Sequence, residues 1–157
     1  MIGDVETHRV TTVRKSSIFN RMKLQYIDTS ALIALSNRND RNHKRAVAYF
    51  KKAVKGGVRF LLGKHVLIEY VDGVTKRIDK KKAIEELNNI IESKLLLIEW
   101  ENKKDWAQAI EYFKKYRDQE IDLTDCISFS IMERMEISDV FTFDSDFQTH
   151  GFEIVMD

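Results

Sequence analysis

Acidic side chains stand at three strand or helix ends and once inside an apolar helical stretch. Asp28 closes the run Leu24-Gln25-Tyr26-Ile27, and Asp144 and Asp146 follow Val140-Phe141-Thr142-Phe143. Asp125 opens a helical pattern in Leu123-Thr124-Asp125-Cys126-Ile127-Ser128, and Glu69 interrupts Val66-Leu67-Ile68-Glu69-Tyr70-Val71. Taken singly, each has an ordinary use. Asp forms turns after strands, an acid in a first helical turn complements the helix dipole, and a lone Glu can face solvent. Taken together they read differently. Several carboxylates converging on one point repel one another unless a divalent cation neutralises them. Oxygen ligands without a His or Cys cluster suit Mg²⁺ or Mn²⁺, which keep part of their water shell and engage phosphate.

Whatever gathers these acids must come from the alternation of strands and helices. Strands are expected over 24–28, 58–62, 95–98 and 140–143, with a last short one at 153–155. Helices are expected over 30–35, 42–55, 64–77, 80–93, 103–116 and 124–135. Thr29 or Ser30 is placed to cap the first helix, and Asp79 to cap the fourth. Ala46, Val47, Phe50, Ala53 and Val54 form one apolar face of the second helix, which Gly56-Gly57 stops. Gly73 weakens the third. Ile84, Leu87, Ile90 and Ile91 are expected to turn inward from the fourth. Strands separated by helices imply βαβ crossovers and a mainly parallel sheet covered on both faces, a three-layer α/β/α sandwich. In such sheets, sites form beyond the carboxyl ends of the strands.

The chain has 157 residues, about one domain. Residues 1–21 carry neither pattern and are read as a mobile N-terminal arm, with the folded domain at 22–157. One cysteine, Cys126, excludes an internal disulfide and is read as a packing residue. His8, His43, His65 and His150 are scattered and are read as surface or locally hydrogen-bonded residues. No apolar run approaches the ~18 residues of a spanning helix. No secretory signal is evident, so a cytoplasmic protein is expected. The 26 Lys+Arg and 25 Asp+Glu nearly cancel, but not locally. Residues 1–102 hold 20 basic and 12 acidic groups, a net of +8; residues 103–157 hold 6 and 13, a net of −7. Two stretches are dense in cations: Arg38, Arg41, Lys44, Arg45, Lys51, Lys52 and Lys55, then Lys76, Arg77, Lys80, Lys81 and Lys82. Either can be a solvated face or a track for a phosphate backbone.

In order and spacing, Tyr26-Ile27-Asp28-Thr29-Ser30-Ala31-Leu32, Glu69, Leu123-Thr124-Asp125-Cys126-Ile127-Ser128-Phe129 and Phe141-Thr142-Phe143-Asp144-Ser145-Asp146-Phe147 resemble the PIN-domain proteins. Many of these are toxin ribonucleases of VapBC-type toxin–antitoxin pairs. The resemblance runs from about Lys23 to Val155. It implies a PIN-like fold and a metal-dependent endoribonuclease in which Asp28, Glu69, Asp125 and Asp144 are the catalytic acids. Asp28, Asp125, Asp144 and Asp146 would hold Mg²⁺ or Mn²⁺, supported by the hydroxyls of Ser30 and Thr142. Asp122 is a peripheral candidate, and Asp72 could substitute for Glu69. Arg38 and Arg41 are candidates for binding RNA. The family also implies a cognate antitoxin and a homodimer. A PIN-like module that binds RNA or protein without cleaving stays open as the alternative. A haloacid-dehalogenase-like phosphatase is disfavoured, because its second acid would stand where Ser30 does.

Overall fold

The computed structural model describes residues 22–156, and the arm expected over 1–21 lies outside them. Five strands are described: β1 (Lys23–Ile27), β2 (Val58–Gly63), β3 (Leu96–Glu99), β4 (Asp139–Phe141) and β5 (Glu153–Ile154). All neighbours pair in parallel, in the order β3-β2-β1-β4-β5. Helices α1 (Thr29–Ser36) and α2 (His43–Lys55) join β1 to β2, and α3 (Lys64–Arg77) and α4 (Lys80–Glu92) join β2 to β3. Helices α5 (Lys103–Lys115) and α6 (Leu123–Arg134) lead to β4, and the short α7 (Asp146–His150) leads to β5.

The register assigns each strand residue to a face. Gln25 pairs with Phe60 and Ile27 with Phe141, and these residues meet α2: Tyr49 donates to Gln25 and sits edge-on to Phe141, while Phe50 stacks on Phe60. Tyr26 pairs with Leu61 and Val140 on the opposite face and bonds to Ser128 of α6. Successive strand residues point to opposite faces, so a strand buried on both sides must be apolar nearly throughout. Tyr26, Ile27, Phe60, Leu61, Leu62, Val140 and Phe141 are fully buried. The three-layer sandwich follows from that pattern.

Local signals set the helix ends. Asp79 accepts from the Lys82 N–H, and Asn102 and Asp105 form a reciprocal capping box at the start of α5. Gly57, with φ +88°, makes the turn from α2 into β2. Helix α3 runs through Gly73 without a break; Val66, Leu67, Tyr70 and Val74 are buried along it. Tertiary packing there outweighs the ~1 kcal/mol that a helical Gly costs relative to Ala.

Four sequence expectations change. Thr29 and Ser30 lie inside α1, with Asp28 at the N-cap position, and the Ser30 hydroxyl turns to Asp28 instead. Ile84 and Ile91 are 50% and 57% exposed, because only the Ala83 and Ile90 side of α4 is buried. The fourth strand stops at Phe141, and α7, unforeseen in the sequence, begins at Asp146. His65 and His150 are joined to distant residues rather than to local ones, His65 to Ser128 and His150 to Tyr116 and Glu133. No helix among the described residues is long and apolar enough to cross a membrane.

Phe141 touches the rings of Tyr49, Phe60 and Phe143 from the middle of the sheet. Phe141→Ala is expected to cost about 3–5 kcal/mol of stability, read as a lower urea midpoint at unchanged slope.

Candidate active site

Strand order decides where the acids meet. β1 connects through α1 and α2 to β2 on one side, while β4 lies on its other side, so the carboxyl ends of β1 and β4 are neighbours at a topological switch. β1 delivers Asp28 there, and the Asp28 N–H donates to the Phe141 carbonyl of β4 at 3.2 Å. Asp28 is 7% exposed. Its Oδ2 accepts from Thr142 Oγ1 at 3.1 Å and from Ser30 Oγ at 3.3 Å, and the two hydroxyls are themselves 3.1 Å apart. The same hydroxyls accept from the turn after β4: Phe143 N–H donates to Ser30, and Asp144 N–H donates to Thr142. The turn carries on in the same way, with the Asp146 N–H donating to Asp144 Oδ1 at 2.9 Å. One relay of side chains therefore fixes Asp28, Asp144 and Asp146 relative to one another.

Asp125 comes from the first turn of α6. Carboxylate oxygens of Asp125, Asp144 and Asp146 lie within 4.8 Å of one another, close enough to share one cation. On its other side Asp125 lines a narrow crevice with Asp28, Glu69, Thr29, His65, Val66, Thr124 and Ser128. Asp125 thus borders both groups. Glu69 is exposed on α3 and reaches this crevice; Asp72 is exposed on α3 and does not line it. Asp122 is exposed at the N-cap of α6, near enough to raise the Asp125 pKa. Arg38 lines a different groove, with Tyr70, Val74, Arg77 and Ile78, and Arg41 is exposed in the turn before α2.

The electrostatics follow from the crowding. Burial, then the charges of Asp28, Asp144, Asp146 and Asp122, push Asp125 up to about 8. Burial also pushes Asp28 up to about 6, against hydrogen bonds from Thr29 and Thr142 and with help from Asp144 and Glu69. Asp146 is raised by burial and by Asp144. The carboxylates are held where they resist being charged together. The donor set is all oxygen, which fits a hard divalent cation such as Mg²⁺ or Mn²⁺. Cys126, next to Asp125, is fully buried, and burial first, then Asp125, pushes its thiol up to about 11, so it is no nucleophile.

Sequence reasoning passed over the polar wall of the crevice. Gly63 N–H donates to Tyr26 Oη, Tyr26 donates to Ser128 Oγ at 2.8 Å, and Ser128 Oγ lies 2.7 Å from His65 Nε2. Burial holds His65 neutral, with its pKa pushed down to about 4. A Cβ on Gly63 would stand 2.2 Å from His65 Cε1, so the imidazole occupies the space that a side chain at 63 would need. The signal was available in the spacing: His65 precedes Glu69 by four residues and Ser128 follows Asp125 by three, so each shares a helix face with an acid.

The PIN domain family model matches residues 25–153. The chain belongs to the PIN-domain family. Among solved structures, this PIN domain is similar to VapC20 of Mycobacterium tuberculosis, described as a sarcin-ricin loop cleaving toxin. The two share 25% identity at a TM-score of 0.75, over 86% of this chain and 100% of that one. VapBC2 of Rickettsia felis, solved with a promoter DNA fragment, gives 15% identity and a TM-score of 0.64, over 83% and 96%. FitAcB of Neisseria gonorrhoeae gives 18% and 0.59, over 83% and 94%. The last two likenesses establish the shared fold alone. No curated protein matches the chain in sequence.

The raised carboxyls of this PIN domain set a pH dependence. Asp125 and Asp28 keep protons in the folded chain at pH values where the unfolded chain has lost them, so each makes stability fall as pH rises from about 4 towards its folded value. His65 works the other way between about 4 and 6.5, where only the unfolded chain protonates it. Above about pH 7 the Asp125 effect is the largest of the three. In EDTA the melting temperature of wild type is expected to fall between pH 7 and about 8.5, and that of Asp125→Asn to fall less. Mn²⁺ at the upper pH should raise the wild-type melting temperature and leave the variant nearly unmoved. Identical profiles for the two proteins would refute the placement of the proton.

Proposed function

We propose that this PIN domain is a metal-dependent endoribonuclease that hydrolyses RNA phosphodiester bonds, and that it is the toxin of a type II toxin–antitoxin pair. The observation that carries the reading is the gathering of Asp28, Asp125, Asp144 and Asp146 around the adjoining ends of β1 and β4, with Asp125 shared between the crevice and the Asp144–Asp146 cluster and the pKa of three of the four raised. A structural role gives no reason to gather four like charges where burial opposes their ionisation.

In this reading Asp125, Asp144 and Asp146 hold Mg²⁺ or Mn²⁺, with Asp28 beside them. The bound ion would polarise a phosphoryl oxygen and lower the pKa of a coordinated water for in-line attack at phosphorus. Ser30 and Thr142 hold the Asp28 carboxylate in one orientation. Asp144 holds the Asp146 backbone, and so the start of α7, against the site. Glu69, across the crevice from Asp28, orients the attacking water. Hydrolysis would leave a 5′-phosphate and a 3′-hydroxyl without using the RNA 2′-hydroxyl. An RNA substrate would place the protein in the cytoplasm.

The antitoxin half rests on the likeness to chains solved as toxin–antitoxin pairs. It is also supported by a groove of about 500 Å³ lined by Leu32, Leu35, Val47, Phe50, Ile90 and Leu96, an apolar surface suited to a partner segment. The homodimer draws support from the exposed Trp106 and Phe113, seven residues apart on α5.

With end-labelled RNA and Mg²⁺ or Mn²⁺, purified protein is expected to cleave, and EDTA to stop it. Asp28→Asn and Asp125→Asn should each lose more than about 100-fold in rate, and Ser30→Ala about 10–100-fold as a residue that orients a ligand. Cleavage surviving in EDTA or in either Asp variant would remove the metal–carboxylate mechanism. The toxin assignment is checked separately, by whether the product of a short adjacent reading frame co-purifies with the protein and blocks its cleavage.

A further inference from the structure

The two basic stretches of the sequence fare differently in the fold. On α4 the charge is partly matched from within, since Lys82 Nζ lies 3.1 Å from Glu85 and 3.3 Å from Glu86. Helix α2 contains no acid in its thirteen residues. Lys44, Arg45, Lys51, Lys52 and Lys55 are all exposed. At 3.6 residues per turn they share about one third of the helix circumference. Among the described residues, none of Lys44, Lys51, Lys52 and Lys55 has an ion-pair partner. Lys51 and Lys55 are four apart, a spacing at which like charges destabilise a helix. Lys51 and Lys55 therefore repel one another within the fold, and the four lysines of the stripe would gain from an external anion.

Its position relative to the acids is fixed at one end. The Arg45 guanidinium lies 5.9 Å from the centroid of the Phe143 ring, and Phe143 is the residue before Asp144. The other end of α2 leads through Gly57 into the start of β2, at the opposite end of the strands from the acids. From Arg45 to Lys55 the helix extends about 15 Å. The row of cations thus begins at the β4 turn that carries Asp144 and Asp146 and runs away from it. The crevice is narrow and Asp28 is recessed in it, so a phosphate must be carried in on a flexible strand rather than on a rigid duplex.

We propose that the α2 stripe binds the single-stranded RNA flanking the cleaved bond, with Arg45 on the phosphate nearest the acids and Lys51, Lys52 and Lys55 on those beyond. This rests on the nuclease reading above and assigns the path that the substrate takes. The cations offset the repulsion between a polyanion and the acidic third of the chain, so RNA would lie across α2.

The test is fluorescence anisotropy with a labelled, unstructured oligouridylate and the Asp125→Asn protein, across a series of salt concentrations. The triple change Lys51→Gln, Lys52→Gln and Lys55→Gln should weaken binding at least tenfold. It should lower the slope of log affinity against log salt by about 2, at roughly 0.7 per lost single-strand phosphate contact. Arg45→Gln alone should lower the slope by about 0.7. Changing Lys80, Lys81 and Lys82 to Gln is the control and should leave the slope unchanged. Melting temperatures confirm folding of each variant. An unchanged slope in the triple variant, while wild type still cleaves RNA, overturns the α2 path and leaves the nuclease intact. Wild type that neither cleaves nor binds RNA overturns the underlying reading instead. Loss of an acidic protein partner with RNA binding unchanged would give the stripe to that partner and overturn the proposal.

Discussion

Mutual repulsion among carboxylates is what the architecture around the strand ends has to contain. Asp28, Asp125 and the pair Asp144 and Asp146 come from three places in the chain, and left to themselves they would spread apart. The hydroxyls of Ser30 and Thr142 prevent that. Each offers its hydrogen towards the acid on one side and accepts a backbone N–H of the β4 turn on the other. Two small side chains tie the first strand end to the fourth, and a larger residue at either position would force the turn away. The parallel pairing of β1 with β4 makes the tie short enough to form. Sheet order, hydroxyl relay and acid placement are thus one device.

Much of this was legible in the sequence because it rests on local rules. Among the described residues, period-2 and period-3.6 patterns located all five strands and six of the seven helices. Apolar runs such as Phe60-Leu61-Leu62 marked a sheet buried on both faces. The four acids stood out as charges at ends of apolar segments. What escaped depends on three-dimensional placement. Helix α7 spans only five residues, too few for a periodic signal. Ile84 and Ile91 look like core residues by type, yet α4 buries only the Ala83 and Ile90 side. His65 seemed scattered because its partner, Ser128, is 63 residues away and only the sheet order brings them together.

Charge segregation along the chain has a structural counterpart. Near-neutrality overall conceals an acid-free helix, α2, whose N-terminal end abuts the β4 turn through Arg45 and Phe143. The β4 turn, with Asp144 and Asp146, meets at Phe143 the helix that bears the exposed lysines. The first suits a cation and the second an anion, and a phosphodiester with its metal presents both.

The closeness of Gly63 to the His65 ring constrains how this protein can change over generations. With the His65 ring where it stands, position 63 admits no side chain, because even a methyl would stand 2.2 Å from a ring carbon. A lineage that replaces Gly63 must first give up or move the histidine, and with it the link through Ser128 and Tyr26 to the neighbourhood of Asp125. The two positions form a ratchet: the order in which substitutions arrive decides which are tolerated.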